Sequence, residues 1–148
     1  MRRVVVVGAG FAGMAAVREL RESDAQVTLV DRHLYSTFQP LLYQVASGGL
    51  NPGDIAYPVR NFVHRHGARF RCGSVHRIDT AAREVILDGG ARVGYDYLLL
   101  ASGVTTNHFG VPGAAEHSMA LYTRQEAVIL RDRLMAGLEA LAEQGGTG

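Results

Sequence analysis

Val4-Val5-Val6-Val7-Gly8-Ala9-Gly10-Phe11-Ala12-Gly13 is the stretch that decides the fold. Four β-branched residues in a row, without polar alternation, read as a strand covered on both faces, as in a parallel sheet. The run stops at glycine, where the chain turns. From Phe11 to Arg21 the apolar residues Met14, Val17 and Leu20 recur at helical spacing, with Arg18, Glu19 and Arg21 between them, so a helix follows the turn. Val27 to Val30 repeats the buried-strand pattern and ends at Asp31, which closes a βαβ unit with a crossover helix. The expected class is therefore α/β, a Rossmann-like parallel sheet with crossover helices.

Inside this unit Gly8, Gly10 and Gly13 fit the pattern G-x-G-x-x-G. The first glycine turns the chain, the second lets a pyrophosphate approach the backbone, and the third lets helix and strand pack closely. Asp31 lies 18 positions beyond Gly13, near the spacing of about 20 expected of an acid that holds ribose hydroxyls. The start of the helix offers N–H donors and roughly half an elementary positive charge, so phosphates can be held there without any lysine. The strand, the helix and the acid together make this a dinucleotide site. The competing reading is a structural glycine turn that binds nothing, and the motif does not separate FAD from NAD.

Working outward, Arg32 to Tyr57 reads as a long loop with short helical turns. Pro58 to His66 reads as a helix with proline at its first position, stopping at Gly67. Arg69 to Asp79 and Arg83 to Val93 read as strands of a small antiparallel meander with a turn near Asp88-Gly89-Gly90. Tyr97 to Ala101 is a third strand of the buried type, ending at Ser102-Gly103. Thr123-Arg124-Gln125-Glu126 is a capping box. It opens a helix whose Leu130, Leu134, Leu138 and Leu141 form a stripe expected to dock on the core, with Gly145-Gly146 as the stop.

Composition bounds what this chain can be. Its 148 residues are enough for one domain spanning positions 1 to 148, and 47% hydrophobic with 20% charged residues is ordinary for a folded globular chain. All 15 basic residues are arginine, spread along the chain against 14 acids for a formal charge of +1, which leaves no nucleic-acid footprint. A single cysteine, Cys72, excludes an internal disulfide, a Cys-x-x-Cys pair and a zinc site built on cysteines. It is expected to be a small buried hydrophobe in a reducing compartment. Arg2 and Arg3 before an apolar stretch imitate a secretory signal, but glycines at fixed spacing speak against one, and no run reaches the roughly 18 apolar residues of a membrane span. A cytoplasmic location is expected. His64 and His66 stand two apart, not at the same-face spacing of a helical metal pair, and His33, His76, His108 and His117 form no ligand pattern, so no metal is expected.

The stretches GAGFAG, VTLVDRHLY, STFQPLLYQVASGGLNPGDIAYPVR and YDYLLLASGVTTNHFGVPG resemble the N-terminal flavin half of type II NADH dehydrogenases, single-subunit NADH:quinone oxidoreductases. These belong to the wider flavoprotein group with two dinucleotide-binding domains. The resemblance implies FAD as cofactor, with Gly8, Ala9, Gly10, Phe11 and Ala12, together with Gly13, around its pyrophosphate, Asp31 on the adenosine ribose and Arg32 over the adenine end. It implies that the backbone of Val75 meets adenine and that Ala101, Ser102 and Gly103 stand near the flavin, with serine where the family usually has threonine. Gln39 and Pro40 match a loop expected near the flavin ring.

The implied chemistry is hydride transfer from NADH to the flavin, then two-electron reduction of a membrane quinone. The flavin is the reactive group, so no catalytic side chain is implied. A dimer is compatible with the resemblance. The family also has a second glycine motif for NADH, a strand returning to the flavin sheet and C-terminal helices that attach it to the cytoplasmic face of the inner membrane. None of these is recognised in the sequence, so a fragment unable to run the full reaction is expected. The competing readings are a stand-alone FAD- or NAD-binding module without turnover and a one-domain NAD-dependent enzyme.

Overall fold

The computed structural model describes residues 1–145. In chain order it contains β1 (Arg2–Val7), α1 (Phe11–Glu19) with a 3-10 turn at Leu20–Glu22, β2 (Ala25–Asp31) and β3 (Tyr35–Thr37). A 3-10 turn at Gln39–Leu41 leads into α2 (Leu42–Ala46), β4 (Ala56–Pro58) and α3 (Val59–Arg65). There follow β5 (Arg69–Cys72), β6 (Val75–Asp79), β7 (Glu84–Leu87), β8 (Arg92–Gly94), β9 (Tyr97–Leu100), α4 (Ala114–His117) and α5 (Arg124–Gly145). The chain divides into two compact units, Met1–Ser36 with Tyr57–Gly103, and Thr37–Ala56 with Val104–Gly148. Strands β3 and β4 pair as a two-stranded ribbon.

The first unit is Rossmann-like. Its parallel sheet runs in the order β5-β2-β1-β9, with Val4 opposite Val27 on one side and Tyr97 on the other. Because side chains alternate along a strand, Val5 and Val6 face opposite sides of this sheet. Val6 and Leu29 pack with Val17 of α1, Val59 and Val63 of α3 and Phe70 of β5. Val5 and Val30 pack with Val85, Leu87 and Tyr95 of the antiparallel sheet β6-β7-β8 and its flank. Both faces of β1 are therefore covered by apolar partners, which is why this strand is valine throughout its second half.

Expectations about strands change in this unit, and Pro58, expected at the first position of α3, is its N-cap. Arg69 to Asp79 is not one strand: it breaks at Gly73-Ser74, so that β5 joins the parallel sheet and β6 the meander. The Gly73 N–H donates to the Asp31 carbonyl at 2.9 Å, extending the β5 side by one bond before the chain changes sheets. Strand β9 is an edge strand rather than a buried one, with Tyr97, Leu99 and Leu100 exposed. An apolar run reports what a strand could bury, and this edge has no neighbour beyond it among the described residues.

In the second unit, α2 packs against the first turns of α5. Leu42, Val45, Ala46, Ile55 and Ala127 form its buried cluster, with Val128 and Leu130 against it. The capping box forms as expected: the Glu126 N–H donates to Thr123 Oγ1 at 3.2 Å, and the Glu126 carboxylate accepts from the Thr123 N–H at 2.7 Å. Burial pushes the Glu126 carboxyl up, but the N–H groups of Tyr122 and Thr123 and the Thr123 side chain outweigh it and hold it below its usual range. The leucine stripe does not dock as a whole. Leu130 is half-buried, whereas Leu134, Leu138 and Leu141 are 48%, 59% and 66% exposed, because α2 spans only five residues and reaches only one end of α5. The helix runs through Gly145, and Gly146, the rest of the expected stop, lies outside the described residues. Among the described residues no helix is long and apolar enough to cross a membrane.

Candidate functional site

The candidate site lies in the first unit, where β1 and β2 end. Gly8 has φ +106°, a conformation that costs an L-residue with a side chain dearly, and a β-carbon there would collide with the Ala101 carbonyl. A β-carbon at Gly13 would collide with the carbonyl of Gly8. The first and third glycines are thus required by the chain itself: one brings the turn beside the end of β9, the other seats α1 on the turn.

Gly10 is different. It has an ordinary φ of −80°, and a β-carbon there would meet nothing within 4 Å. No atom of the chain requires glycine at this position, which leaves open space beside the backbone at the N-cap of α1. The first helical bond is Met14 N–H to Gly10 C=O, so the N–H groups of residues 10–13 stand ahead of the helical ladder. Open space over a helix start is the geometry that admits an anion.

The hydrogen bonds divide the expected cradle. The Gly8 N–H donates to Val30 C=O at 2.8 Å, and the Ala9 N–H to Asp31 Oδ2 at 2.6 Å. These two donors serve the chain's own structure, so the part of the turn directed at a ligand begins at Gly10. Asp31 Oδ1 accepts from the His33 N–H at 2.7 Å, an Asx turn, and His33 Nδ1 lies 3.5 Å from the same oxygen. Participation of His33 was not anticipated from the sequence. An acid at a strand end followed two residues later by a free N–H is the local signal that could have shown it.

The remaining site candidates of this unit come to the same end of the sheet. Arg32 is exposed directly after Asp31. The Gly73–Asp31 bond brings in the Gly73-Ser74-Val75 step, and Val75 opens β6 half-buried. The Ala101 N–H donates to Val7 C=O at 2.7 Å, which places Ala101-Ser102-Gly103 beside the Gly8 turn, with Ser102 exposed. Gln39 and Pro40 belong to the second unit, in the 3-10 turn Gln39–Leu41, with Gln39 half-buried and Pro40 exposed.

Cys72 is exposed rather than buried, with Sγ 3.6 Å from the Arg32 carbonyl. As the last residue of an edge strand, it lies past the apolar cover that α3 gives Phe70. His64 is exposed, and His66 caps the end of α3 with Nδ1 2.8 Å from the Phe62 carbonyl. Among the described residues no group of three or more metal-ligating side chains forms. A hollow of about 580 Å3 opens at the other end of the strands, lined by Arg2, Val4, Leu20, Asp24 and Tyr97 among others. Its Arg2 is already engaged with the Tyr97 hydroxyl at 2.6 Å. The glycine turn, not this hollow, is where a helix start meets open space.

Residues 2–142 match the family model described as pyridine nucleotide-disulphide oxidoreductase. The chain is 37% identical over 142 residues to the type II NADH:quinone oxidoreductase NdhA of Mycobacterium tuberculosis, covering 93% of this chain and 30% of that protein. Among solved structures, the sulfide:quinone oxidoreductase of Aquifex aeolicus matches with a TM-score of 0.84 at 29% identity, over 92% of this chain and 32% of that one. The NDH2 of Plasmodium falciparum, solved in complex with NADH, matches with a TM-score of 0.81, over 95% of this chain and 30% of that one. Its 23% identity makes that a likeness of fold alone. The chain spans about a third of the length of these relatives.

Proposed function

The chain belongs to the pyridine nucleotide-disulphide oxidoreductase family, and from that premise we propose that it is the flavin-binding part of an FAD-dependent NADH:quinone oxidoreductase. The observation that carries this reading is Gly10. Gly8 and Gly13 are explained by collisions within the chain, whereas Gly10 faces open space at a helix start, and an approaching pyrophosphate accounts for the missing side chain.

The backbone N–H groups from Gly10 onward hold the pyrophosphate of FAD. Asp31 takes the adenosine ribose with the acceptor positions that Ala9 and His33 leave over, and Arg32 covers the adenine end. The Val75 backbone would face adenine, and Ala101-Ser102-Gly103 would border the flavin. A flavin held here would supply hydride acceptance from NADH and two-electron donation to a membrane quinone, so the protein's part is to bind, orient and exclude water. The NADH site, the quinone site and membrane attachment of this activity are not assigned to residues of this chain, which matches 30% of the length of NdhA.

The test is the visible absorption spectrum of the purified chain after incubation with FAD and desalting, run beside Gly10→Ala. Wild type is expected to retain FAD. The variant is expected to keep its fold but bind FAD roughly tenfold or more weakly, a loss of at least ~1.4 kcal/mol. Equal retention by both proteins would remove the observation on which the reading rests. A folded wild type that takes NADH and no flavin would favour the NAD-dependent alternative.

A further inference from the structure

The Asp31 carboxylate is engaged by the chain before any ribose reaches it. Oδ2 accepts from the Ala9 N–H at 2.6 Å, 22 residues back in the glycine turn, and Oδ1 accepts from the His33 N–H at 2.7 Å. The Asp31 side chain is 17% exposed and Ala9 is 3% exposed, so water has little access to the bond between them. A carboxylate has about four lone-pair sites. Two of them are already taken here, and two remain for a pair of hydroxyls.

We propose that Asp31 is a positioning residue for the phosphate-binding turn as well as a ligand for ribose, so that one side chain holds both ends of the adenosine diphosphate site. The proposal rests on the reading of Gly8 to Gly13 as a nucleotide site and deepens it. The turn needs such a tie. Gly10 has no side chain to pack, and the Gly8 N–H is committed to Val30. The Ala9–Asp31 bond fixes the Gly8–Ala9 peptide, the plane just before the one that carries the Gly10 N–H, which is the first donor assigned to the ligand. Removing the carboxylate leaves a buried N–H without an acceptor, and the turn must rotate to satisfy it.

A ligand pair separates the two roles: ADP, and 2′,3′-dideoxy-ADP, which lacks both ribose hydroxyls. Affinities for wild type, Asp31→Ala and Asp31→Asn are measured by calorimetry. If Asp31 served ribose alone, the variants would bind the dideoxy ligand as well as wild type does. The expected result is a loss of roughly tenfold for the dideoxy ligand in Asp31→Ala, with Asp31→Asn between, since its amide keeps a single acceptor oxygen. Removing a negative charge by itself favours an anionic ligand, so a loss cannot be assigned to simple electrostatics.

Amide exchange on the free chain, read by NMR, tests the tie without any ligand. The Ala9 amide is expected to be protected in wild type and to exchange at least about tenfold faster in Asp31→Ala, while the Val30-bonded Gly8 amide and the β1–β2 ladder stay protected, which shows the variant to be folded. Unchanged Ala9 exchange, or undiminished dideoxy binding in both variants, would overturn the proposal. A wild type that binds neither ligand would overturn the nucleotide reading instead, and the exchange result would still decide whether the tie exists.

Discussion

Helices α1 and α5 each offer an apolar face, and they use it very differently. Helix α1 has nine residues and buries Gly13 and Val17, the latter completely, against the sheet. Helix α5 has 22 residues and leaves Leu134, Leu138 and Leu141 exposed, with Ala127 as its buried contact. The difference lies in connection. α1 is bracketed by adjacent parallel strands, so the crossover itself places it on a continuous apolar surface. Among the described residues α5 packs chiefly against the short helix α2 through its first turns, with single contacts farther along from Arg133 to Met119 and from Met135 beside Gly48. Apolar periodicity measures capacity for burial; the neighbouring elements set how much of it is used.

The sharpest way to break this contrast is at the α1 seat. Gly13→Val would drive a branched side chain into the Gly8 carbonyl, and a loss of at least about 3 kcal/mol is expected in urea unfolding. A change below ~1 kcal/mol would mean that the turn is not built as described. Leu29→Ala, beneath α1 and α3 in a fully buried position, is expected to cost roughly 2–5 kcal/mol.

Smaller effects are expected at α5. Thr123→Ala removes half of the capping box and should cost about 1 kcal/mol. Glu126 adds a pH dependence with a definite sign. Its carboxyl is held below the ordinary 4.5 in the folded chain, so its contribution is fully present above that value and fades as pH falls through the folded pKa. Asp96, lowered chiefly by the Arg3 N–H and then by the Arg3 side chain, works in the same direction. Stability measured from pH 6 down to about 3 should therefore fall, and Glu126→Gln should flatten part of the slope. Least of all, Leu138→Ser should change the stability of this chain by no more than about 0.5 kcal/mol. A loss near 2 kcal/mol would show that the stripe is covered in solution and would erase the contrast with α1.

Local chemistry made much of this molecule readable in one dimension. Unbroken valines before glycine mark a doubly covered strand by their pattern alone, although the cover comes from distant residues such as Val59 and Val85, and Thr123 and Glu126 mark a helix start because they satisfy each other three residues apart. The break at Gly73-Ser74 was not readable in the same way, since it depends on which sheet each half of the run joins. Nor was the edge position of β9, or the exposure of Cys72 at the end of β5. For the candidate site, spacing alone picked out the three glycines and Asp31. It could not divide them by duty, because the reasons for Gly8 and Gly13 lie in the carbonyls of Ala101 and of Gly8 itself, which folding brings against them.

The sequence by itself determined the βαβ order, the glycine turn, the acid at the end of β2 and the capped last helix, all through bonds and periodicities local to the chain. Only the tertiary structure decided that the Ala9 N–H is committed to Asp31, that Gly10, alone of the three glycines of the motif, has open space where a side chain would stand, and that most of the leucine stripe stays uncovered. The physical reason is the same in each case. A residue's own chemistry sets what it can bond or bury, and the partner that takes it up is delivered by chain far away in sequence.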